Sequence, residues 1–185
     1  MKEQIFKKLK IKSITLKNRF VVSPMCQYSS RNGNPIKWHY NHLLNLANSG
    51  AGLLMIEATA VSKKGKITHS DMSLTNVENF KNLKKLTNFI KKNSDIKIGL
   101  QISHSGRKGS AELPWIKPNT SLKNRSWKTY SASSIKKEFN WPYPKEMTIV
   151  DIENIKSSFL KASKYSKNLK LDCLELHMAH GYLLH

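Results

Sequence analysis

The chain has 185 residues, of which 39% are hydrophobic, 9% aromatic and 24% charged. That length carries one domain with a real core, and the balance suits a globular protein. No stretch approaches the roughly 20 apolar residues of a membrane helix. The opening residues KEQIFKKLKIKS lack the apolar run of a signal peptide, so a cytoplasmic protein is expected. Cys26 and Cys173 lie far apart in sequence and fit a reducing compartment. The formal net charge of +20 raises the question of nucleic-acid binding. Only four of the 32 basic residues are arginines (Arg19, Arg31, Arg107 and Arg125), and the lysines sit on ordinary helical patterns such as FKNLKKLTNFIKK. Arginine is the residue favoured for bidentate base and phosphate recognition. Lysine on solvated helix faces is therefore the stronger reading, and nucleic acid the weaker.

Taken in chain order, residues 7–17 alternate polar and apolar and predict a short β-hairpin. RFVVSP (19–24) predicts a strand ended by Pro24, and residues 39–49 a helix stopped by Gly50 or Gly52. LLMIEA (53–58) is a buried strand. Residues 77–92 form an amphipathic helix with Phe80, Leu83, Leu86 and Ile90 on one face. IKIGLQIS (96–103) is the next strand, followed by a loop of more than 40 residues rich in Pro, Ser, Trp and Lys. A second amphipathic helix runs from Thr148, its N-cap, to about Lys167, with Ile152, Ile155, Phe159 and Ala162 on one face. LDCLELH (171–177) is the last strand.

Continuous apolar strands separated by helices predict a parallel sheet covered by helices. Each strand ends in a polar or reactive cluster: SPMCQY, EATA, QISHSGRK and HMAHGY. Reactive groups at the C-terminal ends of parallel strands predict a TIM (β/α)8 barrel. A doubly wound sheet predicts a Gly-rich first turn, which SPMCQY lacks. A closed barrel has eight strands and typically about 250 residues, so these four strands make about half of one.

In SPMCQYSS, Cys26 and Tyr28 are two residues apart and can face the same way. The thiol can tune a redox cofactor or act as a nucleophile; taken alone, it is more simply a buried structural thiol. In HMAHGY, His177 and His180 can bind a carbonyl or nitro oxygen as paired donors, and the phenol of Tyr182 can supply a proton. Zinc needs three or four ligands, and no further cluster lies near these two histidines in sequence, so a metal is disfavoured. HYNH (39–42) repeats the spacing on a helix distant in sequence. A single histidine is usually a packing residue, but two histidines, a glycine and a tyrosine at one strand end are less easily dismissed. Gln101 both donates and accepts, which suits the edge of a flavin or pyrimidine ring, and Arg107 and Lys108 follow it in the loop.

Together the segments LKNRFVVSPMCQYSS, LLMIEATAV, IGLQISHSGRK, PW at 114–115, PKEMTIVDIENIKSSF and LELHMAHGYLLH resemble the old yellow enzyme family of FMN-dependent ene-reductases. The likeness is to the bacterial branch of xenobiotic reductases and thermophilic-type enzymes. It runs through the whole chain in the family's order. The resemblance implies that Ser23, Pro24, Met25 and Cys26 line the FMN ring, with Cys26 tuning its potential, and that Ala58 and Gln101 contact its pyrimidine side. It implies that His177 and His180 hold the substrate's activating oxygen with Tyr28 nearby, and that Tyr182 is the proton donor. NAD(P)H is the implied reductant and an activated alkene the implied substrate, with a homo-oligomeric full-length form. Lys170 stands where the family usually has a glycine, the residue preferred at a left-handed helix cap. The chain ends where the family's barrel is half built, before the later strands, an arginine beside the flavin and the phosphate-binding loops. Residues 1–185 are therefore expected to be the N-terminal part of a single FMN-binding TIM-barrel domain. The rival expectations are an inactive fragment or a split subunit that needs a partner chain.

Overall fold

The computed structural model describes residues 2–185. A short helix α1 (Lys2–Phe6), which the sequence pattern did not predict, precedes the hairpin of β1 (Leu9–Ile11) and β2 (Ile14–Leu16). Then come β3 (Val21–Val22), α2 (Lys37–Ala47), β4 (Leu53–Ala60), α3 (Val77–Asn93) and β5 (Lys97–Ser103). A long excursion holds a 3-10 turn (Gly106–Lys108) and the short pair β6 (Tyr130–Ser131) and β7 (Lys145–Glu146). Helix α4 (Ile149–Asn168) and β8 (Cys173–Leu176) finish the order.

Strands β3, β4, β5 and β8 form one parallel sheet in that order, so each strand pairs with the one before it in the β-α series. The two faces differ. Leu54, Ile56, Ile98, Leu100 and Ile102 are fully buried against Leu43, Leu83, Leu86, Ile90 and Ala162 of the helices. On the inner face, Leu53 and Met55 pack with Leu16 of the hairpin and with Cys173. That face is too crowded for a side chain at residue 99: a Cβ on Gly99 would lie 2.5 Å from Cys173 Sγ. Glycine is the residue that lets the neighbouring side chains close over the backbone there.

Several sequence-based boundaries move. The first strand shrinks to two residues, since Pro24 has no N–H to pair. Helix α2 begins two residues early because His39 Nδ1 accepts the Ile36 N–H at 3.1 Å, a cap that is not a standard Ser, Thr, Asp or Asn. The helix stops at Asn48, before either glycine. Thr148 caps α4 as expected: its Oγ1 accepts the Asp151 N–H at 3.2 Å, and Asp151 Oδ2 accepts the Thr148 N–H at 3.0 Å. On the predicted face of α4, Ala162 is buried and Ile155 and Phe159 partly so, but Ile152 stays 42% exposed. Its neighbours Ile149 and Val150 are more exposed still, so the N-terminal turns of α4 lack an apolar partner. The last strand shortens to four residues, and Leu174 and Leu176 on this sheet edge are exposed. Lys170 takes a left-handed backbone, φ +53°, directly after α4.

Candidate active site

The C-terminal ends of the four parallel strands place the reactive clusters of the sequence on one side of the sheet. Beyond β8, His180 (φ +58°) and Gly181 (φ +66°) are consecutive left-handed residues that turn the chain sharply. The turn brings the Tyr182 ring edge-on to His177, with centroids 4.8 Å apart. His177 Nε2 and His180 Nδ1 are 3.4 Å apart, so the two imidazoles converge on one point. The turn is pinned from outside: Leu183 N–H donates to His104 O at 3.0 Å, His177 N–H to Ile102 O at 3.0 Å, and Lys108 Nζ to His180 O.

The segment after β3 supplies the second half. Tyr28 also holds a left-handed backbone, φ +46°, a strained conformation of the kind that clusters at functional sites. Its ring meets Trp115 edge-on at 6.2 Å, so the long excursion leans over this segment. The Cys26 thiol is half-buried, close to the Ala58 backbone and the Tyr28 side chain. Burial raises the thiol above its ordinary range, and the negative charges of Asp71 and Glu57 add to the effect, so Cys26 is a neutral thiol at neutral pH. Burial raises the Tyr28 phenol too, with Cys26 and Tyr182 as the next contributors. Tyr182 is pushed up to about 12 by burial, then by Cys26 and Asp71. These mutual influences put Cys26, Tyr28 and Tyr182 in one neighbourhood although some 150 residues separate them, as the numbering itself shows. Both phenols carry their protons at pH 7 and are hydrogen-bond donors. Burial, and next the neighbouring His180, lowers His177, so its imidazole is neutral at pH 7.

Gln101 lies on the inner face opposite Glu175 in the β5–β8 register, and its Nε2 donates to Glu175 Oε1. His177 follows two residues later, on the same side. Gln101 keeps one N–H and its Oε1 for another partner. A register shift in β4 between Ile56 and Thr59 re-aims Glu57 and Ala58, a bulge that the apolar run LLMIEA gave no sign of. Ser23 and Met25 are exposed and Pro24 is half-buried, on the open side just past β3. A flat heteroaromatic ring suits this set: small or exposed side chains from Ser23 to Met25, a small Ala58, and an amide at Gln101 with donor and acceptor capacity. Lys108, which the sequence places in the loop after Gln101 without a role, reaches this cluster. Its Nζ stands 5.6 Å from the Tyr182 ring centroid while holding the His180 carbonyl. The available signal was a basic pair directly after the polar end of a parallel strand.

The second HxxH does not join the site. His39 is buried with its Nε2 3.3 Å from Glu57 Oε1, and His42 stacks on Trp38 at 5.6 Å. Among the described residues no group of three His, Cys, Asp or Glu side chains is placed to hold a metal ion. Among the described residues no helix is long and apolar enough to cross a membrane.

A parallel α/β sheet closed below by a hairpin, with two histidines, two tyrosines and a thiol gathered at its strand ends, defines the (β/α)-barrel type of enzyme scaffold. The chain belongs to the NADH:flavin oxidoreductase / NADH oxidase family, whose model matches residues 4–185. It is 39% identical over 187 residues to an NADH:flavin oxidoreductase of Gibberella zeae, covering 98% of this chain and 45% of that protein. It is 36% identical over 186 residues to an NADPH dehydrogenase of Bacillus cytotoxicus, covering 100% of this chain and 49% of the relative. The old yellow enzyme from Pichia sp. superposes with a TM-score of 0.81 at 22% identity, over 97% of this chain and 47% of its own. The chain thus has the fold of an old yellow enzyme, and it spans about half the length of the relatives it matches.

Proposed function

We propose that this chain contributes the first half of the active site of an FMN-dependent NAD(P)H oxidoreductase that reduces activated alkenes such as enones. The observation that carries the reading is the convergence of Cys26 and Tyr28 from the end of β3 with His177, His180 and Tyr182 from the end of β8. Ser23, Pro24, Met25 and Cys26 would lie along FMN, with Ala58 and Gln101 at its pyrimidine edge. The chemistry a bound FMN supplies is hydride transfer, from NAD(P)H and on to the alkene β-carbon.

The chain's own residues do the rest. His177 and His180 hold the carbonyl oxygen of the substrate by N–H donors, which stabilises charge that develops there. Because His177 is neutral, it binds that oxygen as a hydrogen-bond donor and not as a cation. The left-handed turn at His180–Gly181 sets Tyr182 beside the pair, from where its hydroxyl gives a proton to the α-carbon. A phenol pushed up to about 12 keeps its proton until the substrate needs it. Tyr28 is a second protonated phenol on the rim, and Cys26 borders the ring as a neutral, polarisable thiol.

A second reading is that the chain acts only beside a partner chain, as a split subunit or as an inactive fragment. The exposed Ile149, Val150 and Ile152 of α4 and Leu174 and Leu176 on the β8 edge favour it. One experiment addresses both readings. The purified chain is titrated with FMN by fluorescence quenching, and NADPH-dependent reduction of an enone is followed, first alone and then with the C-terminal half of a family member added. Flavin binding and turnover that appear only on addition support the split form. No flavin binding in either case removes the flavoenzyme reading.

A further inference from the structure

One buried ionisable pair takes no part in the steps above. Glu57 sits in β4 at 3% exposure and His39 on the first turn of α2 at 0%. His39 Nδ1 accepts the Ile36 N–H, so the proton of a neutral ring is on Nε2, the nitrogen 3.3 Å from Glu57 Oε1. The other carboxylate oxygen, Oε2, accepts the backbone N–H of Gln27 at 2.8 Å. Gln27 stands between Cys26 and Tyr28. One buried carboxylate thus holds the middle of the segment that presents the thiol and the phenol, while its second oxygen lies beside the His39 ring of α2 without completing a hydrogen bond. A buried carboxylate needs donors to stay in place, and the Gln27 amide is the donor it has here.

We propose that Glu57 is a positioning residue for the Cys26–Tyr28 segment, which it anchors through the Gln27 amide and backs with its carboxylate. This rests on the reading that Cys26 and Tyr28 belong to the active site. The groups that face Cys26 are Glu57 from β4, Asp71 from the loop after β4, Tyr28 on its own segment and Tyr182 beyond β8. Asp71, pushed up to about 6 by burial against hydrogen bonds from Thr68 and Ile67, is still a carboxylate at alkaline pH and is the larger of the two acids acting on the thiol, with Glu57 the second. Without Glu57 the segment loses both an anchor and a reason for its thiol to stay neutral.

The experiment separates charge from packing and needs no flavin. In a Cys173→Ser background, the rate of Cys26 alkylation by neutral iodoacetamide is measured at a fixed alkaline pH. Glu57→Gln removes the charge and keeps an acceptor for Gln27; alkylation is expected to rise on the order of tenfold, the change in thiolate fraction for one unit of thiol titration. Glu57→Asp keeps the charge and shortens the reach; alkylation should stay within about twofold, since charge governs the thiolate fraction. In the same Asp variant, exchange of the Gln27 amide should quicken on the order of tenfold, as a hydrogen bond to a charged group is lost. Equal acceleration of alkylation in both variants would mean simple loosening and would overturn the electrostatic role. If Glu57→Gln does not fold, the Asp variant decides alone: Gln27 exchange as slow as in the parent removes the anchor. Failure of FMN binding elsewhere would sink the enzymatic reading and leave these two readouts unmoved.

Discussion

Replacing Lys170 by glycine is expected to stabilise the protein. Lys170 follows α4 with φ +53°, in the left-handed region where a Cβ is crowded by the backbone. A residue with a side chain costs on the order of 1 kcal/mol more than glycine in such a cap. Little opposes the gain. The Lys170 side chain is exposed, and its described contacts are backbone ones that survive substitution: its carbonyl accepts Lys91 Nζ and its N–H donates to Lys167 O at 3.1 Å. Burial depresses Lys91 and the positive charge of Lys170 adds to it, so removing that charge relieves a like-charge contact. Against this, a lysine at a helix C-terminus gains a few tenths of a kcal/mol from the helix dipole. The net is about 0.5–1 kcal/mol, or ~1–4 °C in Tm for a chain of this size. Urea melts of Lys170→Gly and Lys170→Ala decide it, because alanine removes the charge and keeps the strain. If the two variants melt together, backbone strain is not the cause.

In a complete flavin-loaded protein, Tyr182→Phe should slow alkene reduction by roughly 10²–10⁴ while flavin reduction by NAD(P)H changes little. Stopped-flow traces of the two half-reactions test this, and equal slowing of both would refute the proton-donor role. Replacing His177 and His180 together should abolish the long-wavelength charge-transfer band of a bound phenol; zinc bound in stoichiometric amount and lost with the same changes would contradict oxygen binding. Cys26→Ser should shift the flavin potential without loss of FMN, which dye equilibration measures against the parent. Burial depresses His104 to about 4, below its unfolded value near 6.5. The unfolded chain therefore binds the extra proton between those values, and stability falls as pH drops from about 6.5 to 4 and no further on this account. His104→Gln should flatten that part of the urea-midpoint profile.

The parallel sheet and the two long helices were legible because their signals are long and local. Leu83, Leu86 and Ile90 repeat at helical spacing, and Thr148 with Asp151 spells a capping box. The placement of the candidate residues was partly legible too, since HMAHGY and SPMCQY stand at strand ends and the structure puts Cys26, Tyr28, His177, His180 and Tyr182 at one side of the sheet. What escaped depends on contacts across the chain. The bulge that aims Glu57 at Gln27 leaves no trace in LLMIEA, and His39 reads as half of an HxxH until its partners are seen. Ile152 fits the apolar face of α4 by periodicity, yet periodicity cannot tell whether a neighbouring surface exists.

The strand order β3-β4-β5-β8 follows the order of synthesis, and this has a consequence for how the protein is made. At about 5–20 residues per second the ribosome releases each strand only after its neighbour is already out. The sheet can therefore grow like a row laid stone by stone, every new strand docking on the edge just formed, with no wait for a distant partner. Cys26 and Tyr28 emerge just behind the first strand of this sheet. His177, His180 and Tyr182 emerge only behind β8, so the five candidate residues can come together no earlier than the docking of that strand.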